Sequence, residues 1–225
     1  VDVTDVLKID IWSDIACPWC YIGKRRFEEG QRRYAATDGA LPVEVEYHSF
    51  ELAPDTPADF EGSEADFLAH HKRLPAQDVE QMLAHVTALA ADVGLAYDFD
   101  ALRHANTRKA HQVLHLAKAQ GLQLALVERL FAAYFEEGRH VGHDDDLAAL
   151  AADAGLDPAQ VLAALRDRTF ADDVDADIDQ ARAYGITGVP FFVVDGRYGI
   201  SGAQDPALFA QALTQASEDR TKVEA

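Results

Sequence analysis

The sequence predicts an α/β unit interrupted by a large all-α insertion. Three observations lead there. Strand-like segments cluster near the two ends of the 225-residue chain, a stretch of well over 100 residues between them reads as helix after helix, and the first strand runs directly into a helix across Cys17-Pro18-Trp19-Cys20. The expected division is 1–60 and 169–217 for the two parts of the α/β unit, 61–168 for the helical insertion and 218–225 for a polar tail.

Residues 6–12 carry Val6, Leu7, Ile9, Ile11 and Trp12, a β-branched and aromatic run typical of a strand. A helix is expected over 18–36. Pro18 suits its first position, where a missing N–H costs nothing. Cys20, Gly23, Phe27, Gly30 and Tyr34 recur at helical spacing and form its inner face. Residues 43–50 alternate as a second strand, and Pro54 and Pro57 mark the loop that leaves it.

Apolar stripes then follow one another. Met82, Val86, Leu89, Ala90 and Val93 end near Gly94, and Val127, Leu130, Phe131, Tyr134 and Phe135 end near Gly138. These stripes are sufficient to bury a core of their own. Asp144-Asp145-Asp146 and Asp157-Pro158 look like helix starts, and a helix is expected from about 170 to 184. Phe191–Val194 and 197–200 read as a hairpin around Asp195-Gly196, and a last helix is expected over 205–216.

The formal net charge of −19 disfavours nucleic acid and anionic membrane surfaces as partners. No run of about 18 apolar residues predicts a bilayer span. The N-terminal ten residues lack the basic start and long apolar core of a secretory signal, so a cytoplasmic location is expected. The two cysteines, three apart, supply half of a structural zinc site and too little for a disulfide scaffold, so redox chemistry is the better reading.

Cys17 falls where strand meets helix. Backbone N–H groups at a helix start have no intrahelical partners, and their field favours a thiolate. The dipole contributes about 0.3–1 kcal/mol, and more only if N–H groups of residues 19 and 20 reach the sulfur. Cys20, one turn on, lies on the apolar face and should be buried. That division suits exchange in two steps, with Cys17 as nucleophile and Cys20 as resolving thiol. Pro18 fixes the turn, and Trp19 presents a flat apolar surface to an incoming chain or stands half-exposed without a role.

The segments Asp14-Ile15-Ala16-Cys17-Pro18-Trp19-Cys20-Tyr21-Ile22-Gly23, Phe50-Glu51-Leu52-Ala53-Pro54, Asn106-Thr107-Arg108-Lys109-Ala110-His111 and Gly185-Ile186-Thr187-Gly188-Val189-Pro190-Phe191-Phe192-Val193 are similar to the DsbA family of the thioredoxin superfamily. They most resemble its FrnE-like branch, which includes 2-hydroxychromene-2-carboxylate isomerases and is related to kappa-class glutathione transferases. The resemblance spans nearly the whole chain. It implies a thioredoxin-like fold with an inserted helical domain, a cis Val189-Pro190 bond facing the cysteines, and a Val189 backbone that pairs with an extended substrate. It implies thiol or disulfide substrates, protein or small molecule, with no tightly bound cofactor and with glutathione as a possible co-substrate. Monomer and homodimer are both left open.

Two departures sharpen that picture. The isomerase and transferase relatives typically carry Ser where this chain has Cys17, so dithiol–disulfide exchange is favoured over a glutathione-dependent isomerase or transferase acting on a small aromatic or polyketide-like molecule. A third possibility is a binding module of chaperone type. The second, C-terminal cysteine pair of some FrnE-like proteins is absent.

Other residues carry weaker signals. A helix including Leu102, Ala110, Val113, Leu114 and Ala117 would hold Asn106 on its apolar face, satisfied by backbone at a domain junction or, from the resemblance, lining the cleft as a substrate contact. His104, Arg108, His111 and His115 would share the opposite face, expected to be solvated. The same holds for Lys24, Arg25, Arg26, Arg32 and Arg33, with an anionic substrate as the alternative. His140, His143 and the Asp144–Asp146 run are expected to cap a helix, and no metal site is expected. Asp14 either relays protons to Cys20 or caps the turn.

Overall fold

A computed structural model describes residues 6–223. The elements are, in order, β1 (Leu7–Ser13), α1 (Pro18–Ala35), β2 (Val43–Ser49), α2 (Glu64–Lys72), α3 (Ala76–Asp92), α4 (Arg108–Ala119), α5 (Gln123–Phe135), α6 (Asp144–Asp153), α7 (Pro158–Asp167), α8 (Ala171–Ala183), β3 (Phe191–Val194), β4 (Tyr198–Ser201) and α9 (Pro206–Val223). The sheet order is β2-β1-β3-β4. β1 runs parallel to β2, as a strand–helix–strand crossover requires, and antiparallel to β3, which forms a hairpin with β4. Asp195 and Gly196 have positive φ values of 53° and 66°, the geometry that lets two strands turn back tightly. Among the described residues no helix is long and apolar enough to cross a membrane.

α1 and α9 pack against each other. Gly30 permits their close approach, because a Cβ there would meet Phe209 Cβ at 2.6 Å and Pro206 O at 2.7 Å. The expected separate core of the helical block is not found. One continuous cluster of buried side chains runs from Ile9, Ile11 and Phe27 beside the sheet to Leu130, Leu150 and Val161 among the helices. Tyr21 of α1 joins them, stacked on Phe131 of α5 with ring centroids 4.9 Å apart. Each half alone would leave a large apolar face in water, and their contact removes both faces at once.

Two boundaries differ from expectation. α9 continues through residues expected to be tail, because Arg220 pairs with Asp195 at the hairpin and Tyr198 donates to Asp219, anchoring the added turns. Residues 224 and 225 of that tail lie outside the described residues. α4 begins at Arg108, not upstream at Leu102, because Asn106 Oδ1 accepts the Arg108 N–H at 2.9 Å and starts the helix with a side-chain turn.

Candidate active site

β1 ends at Ser13, and the chain turns through Asp14 to Cys17, where the Cys17 N–H donates to the Asp14 carbonyl at 3.1 Å. Cys17 is the extended residue that caps α1, and Pro18 occupies its first turn. The Cys20 N–H donates to the Cys17 carbonyl at 3.0 Å. It is therefore spent on the helix, and the Cys17 side chain makes no capping bond to α1. The direct N–H···S support considered from the sequence is replaced by a contact across the site. The Cys17 thiol lies 3.5 Å from the Val189 carbonyl oxygen.

The Val189–Pro190 peptide is cis. Its place against α1 is fixed by Gly23, where a Cβ would come within 2.9 Å of Pro190 Cγ. The Gly202 N–H donates to the Pro190 carbonyl at 2.8 Å, tying the same segment to the end of β4.

Both cysteines are free and buried, with 3% and 2% of their surface exposed. Their surroundings still differ. Cys17 opens on a cavity of about 290 Å3, whereas Cys20 is enclosed beneath it. Burial and the adjacent Cys17 sulfur push the Cys20 thiol well above its ordinary pKa, partly offset by the Ser13 hydroxyl and the Asp14 main-chain N–H. Cys20 is thus held as the neutral thiol.

The cavity lies between the redox motif and the helical block. On one wall are Cys17, Pro18, Trp19 and Val189, and on the other Phe67 and Leu68 of α2 with Leu83 and Val86 of α3. Trp19 is 36% exposed at its edge. Tyr97, which no motif singles out, donates its hydroxyl to the Pro18 carbonyl at 2.6 Å and braces the active-site turn. Burial, and then the neighbouring cysteines, raise the pKa of that phenol.

Asn106 does not line the cavity. Its amide donates to the carbonyls of Pro54 and Thr56 at 3.1 and 2.9 Å, and its oxygen starts α4, so it is a brace for the 54–57 loop. The polar capacity a substrate contact would need is used by backbone.

The expected solvated histidine face is also corrected. His104, His111 and His115 are all buried, each opposite a carboxylate brought from elsewhere in the chain: Glu64 at 2.8 Å, Asp14 at 3.2 Å and Asp177 at 3.0 Å. Helical spacing shows which residues share a face but not what covers it. Burial by itself would raise the Asp14 pKa. The His111 bond and charge, the Leu52 N–H and the Thr107 hydroxyl outweigh it and hold Asp14 below its usual value. Asp14 lines the cavity beside Cys17, and its carboxylate joins the end of β1 to Leu52 and α4.

The basic cluster of α1 is largely neutralised from within. Lys24 is buried and pairs with Glu28 and Glu128, while Arg25 reaches Glu128 at 2.9 Å and Glu28 at 3.0 Å. Arg32 and Arg33 stay near the surface with Glu29. The Asp144–Asp146 run fills the first turn of α6 without a side-chain cap, where its charge meets the positive end of the helix.

Asp59, His140 and His143 converge closely enough for a metal, as do Asp10, Glu46 and His48. In the first group, His140 Nδ1 accepts the Gly142 N–H at 3.0 Å, which puts the ring proton on Nε2, the nitrogen facing Asp59. A cation there would need that nitrogen bare. In the second, His48 is clamped between Asp10 and Asp177 at 2.9 and 2.8 Å, with both ring nitrogens engaged.

With this geometry in place, known proteins add a family. A profile described as DSBA-like thioredoxin domain matches residues 8–214. A crystal structure of a probable DsbA oxidoreductase from Streptomyces coelicolor is similar, with 42% identity, TM-score 0.86, and 95% of this chain and 91% of that one covered. The Bacillus subtilis protein YwbO is 29% identical over 213 residues, covering 92% of this chain and 96% of the relative. The cytosolic disulfide reductase DsbM of Pseudomonas aeruginosa, solved with GSH, shares the fold at 16% identity and TM-score 0.61, covering 97% of this chain and all of that one. The chain belongs to the DSBA-like thioredoxin domain family.

Proposed function

We propose that this member of the DSBA-like thioredoxin domain family is a dithiol–disulfide oxidoreductase, with Cys17 as nucleophile and Cys20 as resolving thiol. One observation carries the reading: of two adjacent sulfurs, one opens on a cavity and the other is sealed with its proton held in place. In the reducing direction, the Cys17 thiolate attacks a substrate disulfide. One substrate sulfur leaves with the electron pair, and a Cys17–substrate disulfide forms. Cys20 then loses its proton and attacks Cys17, releasing the second substrate thiol and leaving the Cys17–Cys20 disulfide. The oxidising direction is the reverse.

Val189 and Pro190 form the platform opposite Cys17, and Pro18 and Trp19 shape the near wall. Substrates are thiols or disulfides, and glutathione is a co-substrate that returns the pair to its starting state. The GSH-bound DsbM relative supports that last role.

The test is reduction of a small disulfide, hydroxyethyl disulfide, by dithiothreitol, run beside reduction of insulin and refolding of a scrambled protein. Wild type accelerates at least one of the three, and Cys17→Ser returns the rate to background. Cys20→Ser accumulates a Cys17–substrate mixed disulfide detectable by mass. Acceleration that survives Cys17→Ser would sink the proposal. So would glutathione-dependent turnover of an aromatic substrate unaffected by that change, or chaperone activity unchanged when both cysteines are Ser.

A further inference from the structure

The cavity at Cys17 lies between the redox motif and the first two helices of the insertion. α2 and α3 lie across from the redox motif and supply Phe67, Leu68, Met82, Leu83 and Val86, with Phe99 from the loop that follows α3. Its volume, about 290 Å3, is nearly twice the roughly 150 Å3 of an apolar cavity that admits benzene. Trp19 and Leu52, both substantially exposed, extend the apolar surface at its edge.

The buried acids of the cavity are already paired. Glu64 meets His104 at 2.8 Å, with Phe67 stacked on the imidazole, and Asp14 is held by His111 and Leu52. Lys72 and His71, at the end of α2, are exposed. The walls that surround the reactive sulfur are therefore suited to an apolar group, and a charged co-substrate such as glutathione has Lys72 and His71 to meet.

We propose that this cavity binds an apolar, low-molecular-weight thiol or its disulfide, with an aryl or branched alkyl group seated between α2 and α3 and its sulfur at Cys17. The inference rests on the exchange reading above and names the class of substrate. A polypeptide in strand-like pairing with Val189 would have to pass under the α2–α3 pair, with Cys17 only 3% exposed. A small thiol enters whole. In the oxidising direction its thiolate attacks Cys17 in the Cys17–Cys20 disulfide, and Cys20 departs with the electron pair and takes up a proton. A second molecule attacks the mixed disulfide, forming the ligand's own disulfide and freeing Cys17. Two thiols lose two electrons in all, and the protein disulfide gains them.

The experiment uses the full chain, oxidised to its Cys17–Cys20 disulfide, and counts free cysteines by mass spectrometry after acid quench and alkylation. Benzyl mercaptan and mercaptoethanol are compared, each rate divided by that thiol's rate with cystine to remove intrinsic reactivity. Burial of a ring predicts a normalised preference for benzyl mercaptan of roughly tenfold or more. Leu83→Trp and, separately, Met82→Trp fill the cavity and should bring the ratio toward one.

A wild-type ratio near one would overturn the cavity assignment, while reduction by both thiols would leave the exchange reading standing. No reduction even by dithiothreitol would overturn both. A reduced, unfolded polypeptide that outpaces benzyl mercaptan at equal thiol concentration would overturn the low-molecular-weight class. Because the wild-type comparison needs no variant, a substitution that fails to fold does not remove the test.

Discussion

Of the buried clusters of carboxylate and imidazole, two stand beside the sheet, Asp14–His111 and Asp177–His48–His115, and of these only the first borders the space at Cys17. At the end of β1, Asp14 and His111 form a pair whose carboxylate faces the cavity beside Cys17. Along β2, Asp177 of α8 accepts from the Ser49 N–H at 2.7 Å and meets His48 and His115, with Trp12 stacked on His48 at 4.5 Å. The second cluster lies away from the cavity and fastens α8 to β2 and α4. A buried acid–histidine pair thus marks a candidate site only where it shares a space with a reactive group.

The sharpest way to break that distinction is to remove one member from each region. Cys17→Ser is expected to return exchange to background while unfolding stability changes little. Asp177→Ala should do the opposite, costing about 1–3 kcal/mol because the buried Ser49 N–H, His48 and His115 lose their shared acceptor while Asp10 still faces His48. Urea unfolding and exchange rates measured on both variants check this. A slowed exchange in folded Asp177→Ala would mean that the two clusters are coupled.

The pH dependence sharpens the same contrast. Burial alone would lower the His48 pKa, but Asp10 and Asp177 raise it from about 6.5 to about 9. The sign follows from linkage: the stabilisation is fully present below pH 6.5 and is lost as pH rises through 9, at most about 3 kcal/mol. Urea midpoints at pH 6 and pH 10 should differ in that direction, and Asp177→Asn should flatten the slope. Glu128 has the opposite dependence. Burial works against its ionisation, yet Arg25 and Lys24 bring its pKa down to about 2, so the link between α1 and α5 weakens as pH falls below about 4.5.

Smaller effects are expected at the supports of the site. Gly23→Ala crowds Pro190 and should cost about 1–3 kcal/mol with slower exchange, whereas a substitution accommodated without strain would show both unchanged. Asn106→Ala removes the brace on the 54–57 loop. A loss of about 1 kcal/mol, with exchange retained, is expected from its hydrogen bonds. A strong loss of exchange at normal stability would restore Asn106 as a substrate contact.

The sequence located β1, α1, β2 and the β3–β4 hairpin closely, because each rests on local signals: alternation, Pro at a helix start, Asp195-Gly196 at a turn. It also placed both sulfurs at the start of a helix. It misplaced the surroundings of the charged residues. Lys24 and His111 sit on patterns that read as solvated, and both are buried by partners distant in the chain, Glu128 and Asp14. Tyr97 carries no signal at all, since its role is to meet the Pro18 carbonyl from across the fold.

The residues by themselves determined the order of elements and the chemistry available at Cys17 and Cys20, since helix starts, turns and thiol reactivity are set within a few positions. Only the tertiary structure decided what walls the space at Cys17 and which acids lose their water. Desolvation and charge pairing depend on segments far apart in sequence meeting at one place, and no local pattern encodes that meeting.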